Sequence, residues 1–268
     1  MMGLEEARLS ATASRLAPLG AVSPTGWAAP ARAGALERLQ AMGLPHRRDE
    51  YWKYTDPATL NAATAPQAAP GPSGANQIFS AVDALKLVFV DGVFDAEASD
   101  TPAEAGLEIV RLADTGADAP WAAALYGTLE QAGQSPVARP FAVLNTAFAA
   151  DGVLIRATGK AARPVSLVYL HENEASDAML HHIVRIEPGA EVTLLEAGPA
   201  AARLNTVLEV DVAEGGAFHH IRAQGRDPER RAITHMFARV AANAAFKSFT
   251  MGMNGLLTRN EAVIEFVG

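Results

Sequence analysis

The chain has 268 residues, 49% of them apolar, and a formal net charge of −8; its pI is about 5.4 and its mean hydropathy is +0.07. That is enough chain to bury a sizeable core in one or two domains, and the acidic balance disfavours general nucleic-acid binding. Cysteine is absent, which excludes disulfides, thiolate nucleophiles, persulfide carriage and Cys-ligated zinc or iron–sulfur clusters within this chain.

The opening Met-Met-Gly-Leu-Glu-Glu lacks the basic-then-apolar layout of an export signal. No run approaches the roughly 20 apolar residues that span a bilayer. The expected location is therefore the cytoplasm, with no membrane and no nucleic-acid partner. Only four of the 22 basic residues are lysines (Lys53, Lys86, Lys160, Lys247), which reads as coding bias.

In chain order, leucines at Leu4, Leu9 and Leu16 with charges between them predict an amphipathic helix over 4–16. Leu36, Leu39 and Met42 predict a second over 31–43, ended by Gly43 and Pro45. A charged segment with three aromatics follows, Arg47 to Asp56, in which Trp52 is expected to pack the helices onto what comes next. Residues 62–77, rich in Ala, Pro and Gly, read as a linker. Asp91-Gly92 between Leu87–Val90 and Val93-Phe94 is a hairpin signal. Leu107 to Leu112 alternates as a strand. Trp121 to Gln131 and Phe141 to Ala149 read as helices, and Asp151-Gly152 turns into the strand 153–155.

From Val165 onward nearly every segment reads as a strand: 165–170, 181–187, 191–196, 204–212, 217–223, 232–240, 245–251 and 261–267. Ile186–Ala190, Val212–Ala217 and Val240–Ala245 repeat one pattern of strand end, tight turn and small residue. The small residue recurs at Ala190, Ala217 and Ala245, a spacing of 27 then 28. Two strands per unit and no helix predict coils of a β-solenoid, each completing its neighbour's core. The expected fold is mainly β: a β-helix over 161–268, preceded by an N-terminal helical region and linker over 1–77 and a mixed α/β lead-in over 78–160.

Six of the seven histidines fall between His171 and His235: His171, His181, His182, His219, His220 and His235. This concentration raises a His-based metal site. Against it, adjacent strand residues face opposite ways, and no His-x-x-x-His spacing occurs. Glu187, Glu191, Glu196, Glu209 and Asp211 raise a second alternative, a stand-alone solenoid enzyme acting on an anionic polysaccharide with stacked carboxylates. Phosphate-binding loops and a Gly-x-Ser-x-Gly elbow are absent. No catalytic, cofactor-binding or metal-ligating residue is assigned.

Arg48-Asp49-Glu50-Tyr51-Trp52-Lys53-Tyr54-Thr55-Asp56 resembles the R-x-E-x-W-[KR]-Y-T-D segment of the SufD family. Phe141 to Gly152 is similar to that family's F-x-x-L-N-x-A-F-x-x-D-G segment. The turns at 189–190 and 216–217, and Gly255 to Asn260, resemble its coils. The resemblance implies a right-handed parallel β-helix. It also implies a non-catalytic scaffold subunit of a SufBCD complex for iron–sulfur cluster assembly. The implied partners are a SufB-like subunit at the β-helix end and a SufC-like ATPase on C-terminal helices. A cluster would be held only transiently, in the assembled complex. Family members continue past Gly268 with later coils, an interface histidine and the SufC-binding helices, so none of those roles is given to a residue here. The β-helix is accordingly expected to be open at its C-terminal end and to self-associate there, as a homodimer, when partners are absent.

Overall fold

The computed structural model describes residues 3–23, 25–71, 78–114, 119–198, 200–225 and 227–268. The N-terminal part carries α1 (Leu4–Leu16), α2 (Ala29–Met42) and the short α3 (Ala58–Asn61). Next come β1 (Leu85–Val90), β2 (Val93–Asp95) and β3 (Leu107–Arg111), then α4 (Pro120–Ala123), α5 (Thr128–Ala132) and α6 (Pro140–Phe148). The remainder is strand: β4 (Val153–Ala157), β5 (Val165–Leu170), β6 (Asp177–Ile186), β7 (Glu191–Ala197), β8 (Arg203–Val212), β9 (Ala217–Gln224), β10 (Arg231–Ala241), β11 (Ala245–Gly252) and β12 (Leu257–Val267).

From β4 onward the chain alternates between two sheets. One has the order β2-β1-β5-β7-β9-β11, the other β3-β4-β6-β8-β10-β12. The pairs from β4 to β12 are parallel, as is β1 with β5; β1–β2 and β3–β4 are antiparallel. Each coil thus gives one strand to each sheet, and the coils stack into a parallel β-helix. Covering both faces of this parallel sheet explains the near-continuous burial of β6, β8 and β10. Period two then sorts the side chains. Leu180, Val184, Ile186, Leu208, Val210, Val212, Met236 and Ala238 fill the lumen between the sheets. Met179 and Ile233, one residue out of phase, pack with the helices on the outside.

The repeat is real, but its register differs from the small-residue spacing. Glu191, not Ala190, aligns with Ala217 and Ala245. In the opposite sheet Asp177, Arg203, Arg231 and Leu257 align. The coils are unequal in length and their turns absorb the difference.

The Asp91-Gly92 hairpin forms with φ of 51° and 86°, the left-handed pair that a two-residue turn requires. A Cβ on Gly92 would lie 2.6 Å from the Ala178 Cβ. The single helix expected over Trp121 to Gln131 is two short ones. Gly127 breaks it at φ +72°, where a Cβ would come 2.8 Å from the Thr146 Cγ2. Residues 62–71 run along the β body rather than away from it. Ala68 is buried and donates its N–H to the Glu174 carbonyl at 2.9 Å, and the Ala69 N–H reaches Glu229 at 2.8 Å. Residues 72–77 of the expected linker lie outside the described residues.

Helix α6 is the keystone between helices and coils. Every residue from Pro140 to Ala147 is buried, as expected of a helix covered on all sides. Phe141, Val143 and Leu144 join Leu39, Trp52 and Leu60 in one core, each large side chain contributing about 1.5–3 kcal/mol on burial.

Candidate functional site

The lumen of the β-helix is apolar at its entry coils and polar along one side further on. Tyr169 (β5), Glu196 (β7), His220 and Arg222 (β9) face inward from one sheet; His182 (β6), Thr234 (β10) and Asn260 (β12) meet them from the other. The Val153 N–H donates to His182 Nδ1 at 3.0 Å, so the His182 proton sits on Nε2, which is 3.1 Å from the Tyr169 hydroxyl. Tyr169 in turn donates to Glu196 Oε1 at 2.9 Å. Glu196 Oε2 accepts from His220 Nε2 at 2.9 Å and from Arg222 Nε. Arg222 Nη1 donates to Thr234 Oγ1 at 2.8 Å, and that hydroxyl donates to Asn260 Oδ1 at 2.6 Å. His220 Nδ1 faces the Ser248 hydroxyl at 2.9 Å. One buried carboxylate, on β7, therefore collects three donors from the two flanking coils, one from β5 and two from β9. Burial opposes its charge, but Arg222 and the His220 hydrogen bond outweigh burial and hold Glu196 well below the usual carboxylate range. His182 is pushed down to about 4 by burial.

A second buried polar cluster lies on the outer face of the other sheet, under α5. Glu209 (β8) accepts the backbone N–H of Gly127 at 2.9 Å and of Glu130 at 2.8 Å. Burial nonetheless pushes Glu209 up to about 8. Glu130 pairs with Arg38 at 2.6 Å and with Gln134 at 2.5 Å; burial raises it too. His181 packs its ring 4.3 Å from that of Tyr126 and is lowered to about 3 by burial. His235, also on this face, is lowered to about 4 by burial, with Glu261 at 3.7 Å.

The two motif segments serve this packing. Asn145 Nδ2 donates to the Leu180 carbonyl at 3.1 Å and the Asn205 carbonyl at 2.9 Å, fixing α6 across β6 and β8. Asp151 holds Arg111 at 2.5 Å. A Cβ on Gly152 would fall 1.8 Å from the His181 carbonyl oxygen, so only glycine fits. Trp52 is buried, edge-on to Phe141 at 5.5 Å and beneath the Arg259 guanidinium at 4.2 Å. Tyr51 and Tyr54 are exposed.

The six histidines do not converge. His182 and His220 share the lumen network; His181 and His235 face outward under the helices; His171 is paired with Asp227 at 2.5 Å in the turns; His219 lies on the outer side of β9. Among the described residues, no group of three or more His, Asp and Glu is placed to hold a metal ion. The carboxylates also scatter. Glu196 is in the lumen and Glu209 under α5, while Glu187 pairs with Arg156 at 2.7 Å, Glu191 with Lys160 at 3.7 Å and Asp211 with Arg239 at 2.8 Å. They do not line one exposed face. Sequence reasoning missed Tyr169, Arg222 and Thr234. Their signal was a polar residue at an inward position of an otherwise apolar strand.

The last coil presents a different kind of surface. β11 and β12 are the outermost strands of their sheets. Phe249 is 60% and Phe266 73% exposed there, with Met251, Leu256 and Ile264 beside them. Among the described residues, no helix is long and apolar enough to cross a membrane.

The family model of the SufBD core domain of the SUF iron–sulfur cluster assembly system matches residues 169–268, the stretch that carries the lumen network and the last coil. An iron–sulfur cluster assembly SufBD family protein of Synechocystis sp. is 28% identical over 213 residues, 72% of this chain and 46% of its own length. The iron–sulfur cluster assembly protein SufD of Escherichia coli K12 is 23% identical over 245 residues, 87% of this chain and 55% of its own length. The chain spans about half the length of these curated relatives. It is similar, over part of its length, to SufB/SufD-type iron–sulfur cluster assembly proteins.

Proposed function

We propose that this chain acts as a SufD-like, non-catalytic scaffold subunit in a SufBCD-type complex for iron–sulfur cluster assembly, in the cytoplasm. The observation that supports it is the coincidence of two things in one region. The SufBD core match covers 169–268, and that region is a stack of coils in which β11 and β12 carry exposed phenylalanines. Outer strands offer unpaired backbone groups and apolar side chains to another chain.

In this reading the chain supplies shape and a docking edge. The partner is a SufB-like subunit pairing with β11 and β12, and a SufC-like ATPase joins the assembly. The cluster is cargo, formed transiently in the complex, and no residue of this chain carries a chemical step. Without partners, the same strands bring two copies together as a homodimer. Co-expression of the tagged chain with SufB-like and SufC-like subunits tests the reading. Stoichiometric recovery of a SufB-like subunit supports it. Recovery of neither, together with turnover of an anionic polysaccharide or retention of a metal by the isolated chain, would replace it.

A further inference from the structure

The lumen network leaves three polar atoms over. Arg222 Nη2, Gln224 Oε1 and Thr206 Oγ1 are buried and have no protein hydrogen-bond partner among the described residues. Such groups are uncommon in folded proteins, because one left alone keeps its full desolvation penalty. These three are not scattered. All belong to residues lining a single small cavity between the sheets, bounded also by Tyr169, Glu196 and Thr234.

Size and charge decide what fits. The cavity offers about 10 Å³ to the centre of a water molecule, and one buried water needs roughly 10–15 Å³ on that measure. Arg222 is already neutralised by Glu196 in a direct ion pair. An anion would meet the Glu196 carboxylate and a cation the Arg222 guanidinium, each without a new counter-charge in a buried site. A neutral molecule meets a donor on Arg222, an acceptor on Gln224 and a hydroxyl on Thr206 that does either. Three partners of mixed sense match the usual coordination of a buried water.

We infer that the lumen contains a built site for one neutral hydrogen-bonding molecule, a single water, held by Arg222 Nη2, Gln224 Oε1 and Thr206 Oγ1. The bound water links β8 to β9 across the lumen. It completes the hydrogen bonding of the Arg222 guanidinium, which reaches from β9 to Thr234 on β10, and so makes Thr206 and Gln224 part of the same network as the three donors of Glu196.

The test is a crystal structure of the full chain at a resolution that shows ordered water, beside the same structure of Thr206→Val. The expected result is a water peak within about 2.7–3.2 Å of all three atoms, lost or displaced in Thr206→Val, with xenon under pressure leaving the site unoccupied. Absence of the peak from the parent structure overturns the inference. So does Gln224 Oε1 turned directly onto Arg222, xenon in the cavity, or a water unmoved by Thr206→Val. The parent structure alone decides if the variant does not fold.

Discussion

Glu196 is the residue on which the lumen depends. It is the only carboxylate hydrogen-bonded to Arg222 among the described residues, and both side chains are buried. Replacing it with glutamine leaves the guanidinium buried without its counter-charge. A buried pair broken on one side costs about 3–5 kcal/mol, so urea unfolding of Glu196→Gln is expected to show a loss of that order. Glu196→Met with Arg222→Met is expected to recover most of it; a single-variant loss under about 1 kcal/mol would contradict the assignment. Gly152→Ala is expected to be worse tolerated than its size suggests. Its Cβ meets a backbone oxygen at 1.8 Å, and the strand behind cannot yield without breaking β4 from β6. A loss of about 3 kcal/mol or more in chemical denaturation is expected.

At the scale of elements, the sheets, the helices and their junctions titrate differently. Burial holds His181, His182 and His235 below their ordinary value, at about 3, 4 and 4. The unfolded chain therefore binds these protons first. The stability they contribute is complete above about pH 6.5 and is lost as pH falls toward 4, at up to ~1.4 kcal/mol per pH unit for each histidine. Glu209 works the other way. Its folded value is raised to about 8, so its contribution is complete below about pH 4.5 and lost as pH rises through 8. Tm scans are expected to fall steeply on acidification from pH 6.5 to 4, and more gently from pH 6 to 8. Glu209→Gln is expected to lower Tm at pH 6, since its amide confronts a backbone N–H under α5, yet to flatten the slope from pH 6 to 8. An unchanged slope would show that Glu209 is ionised in the fold throughout.

The same scale shows what the sequence made legible. Apolar alternation and Gly-containing turns marked nearly every strand of the coils, because a strand's burial is written locally. Register is not local. Taking Ala190 as the equivalent of Ala217 shifts β7 by one residue against its true partner Glu191. In a period-two structure that single step turns every side chain to the other face. Under the shifted register Glu196 and Arg222 point apart; under the true one they are direct neighbours. The lumen network was hidden for that reason. The helix break at Gly127 was hidden for another: the demand for glycine comes from Thr146, on α6. The motif around Trp52 and the one from Phe141 to Gly152 were visible as patterns, and the structure explains them as the joints that hold the helices on the coils.

At the scale of the whole molecule, the chain is a stack closed on one flank by helices and ending in two outermost strands. Two clusters of buried polar groups, around Glu196 and Glu209, are committed inward. Among the described residues, β11 and β12 carry the exposed Phe249 and Phe266. Phe249→Lys with Phe266→Lys changes two exposed side chains, so Tm is expected to move little. Affinity for a SufB-like partner is expected to drop at least tenfold, a change of about 1.4 kcal/mol or more. Equal affinity in titration calorimetry would move the docking surface elsewhere.

The most direct measurement is native mass spectrometry of the tagged chain purified after co-expression with SufB-like and SufC-like subunits. The scaffold account predicts a discrete complex containing one copy of this chain with the SufB-like subunit, dissociated by the double lysine variant. A chain recovered alone at every concentration, while the SufB-like and SufC-like subunits assemble with each other, would contradict it.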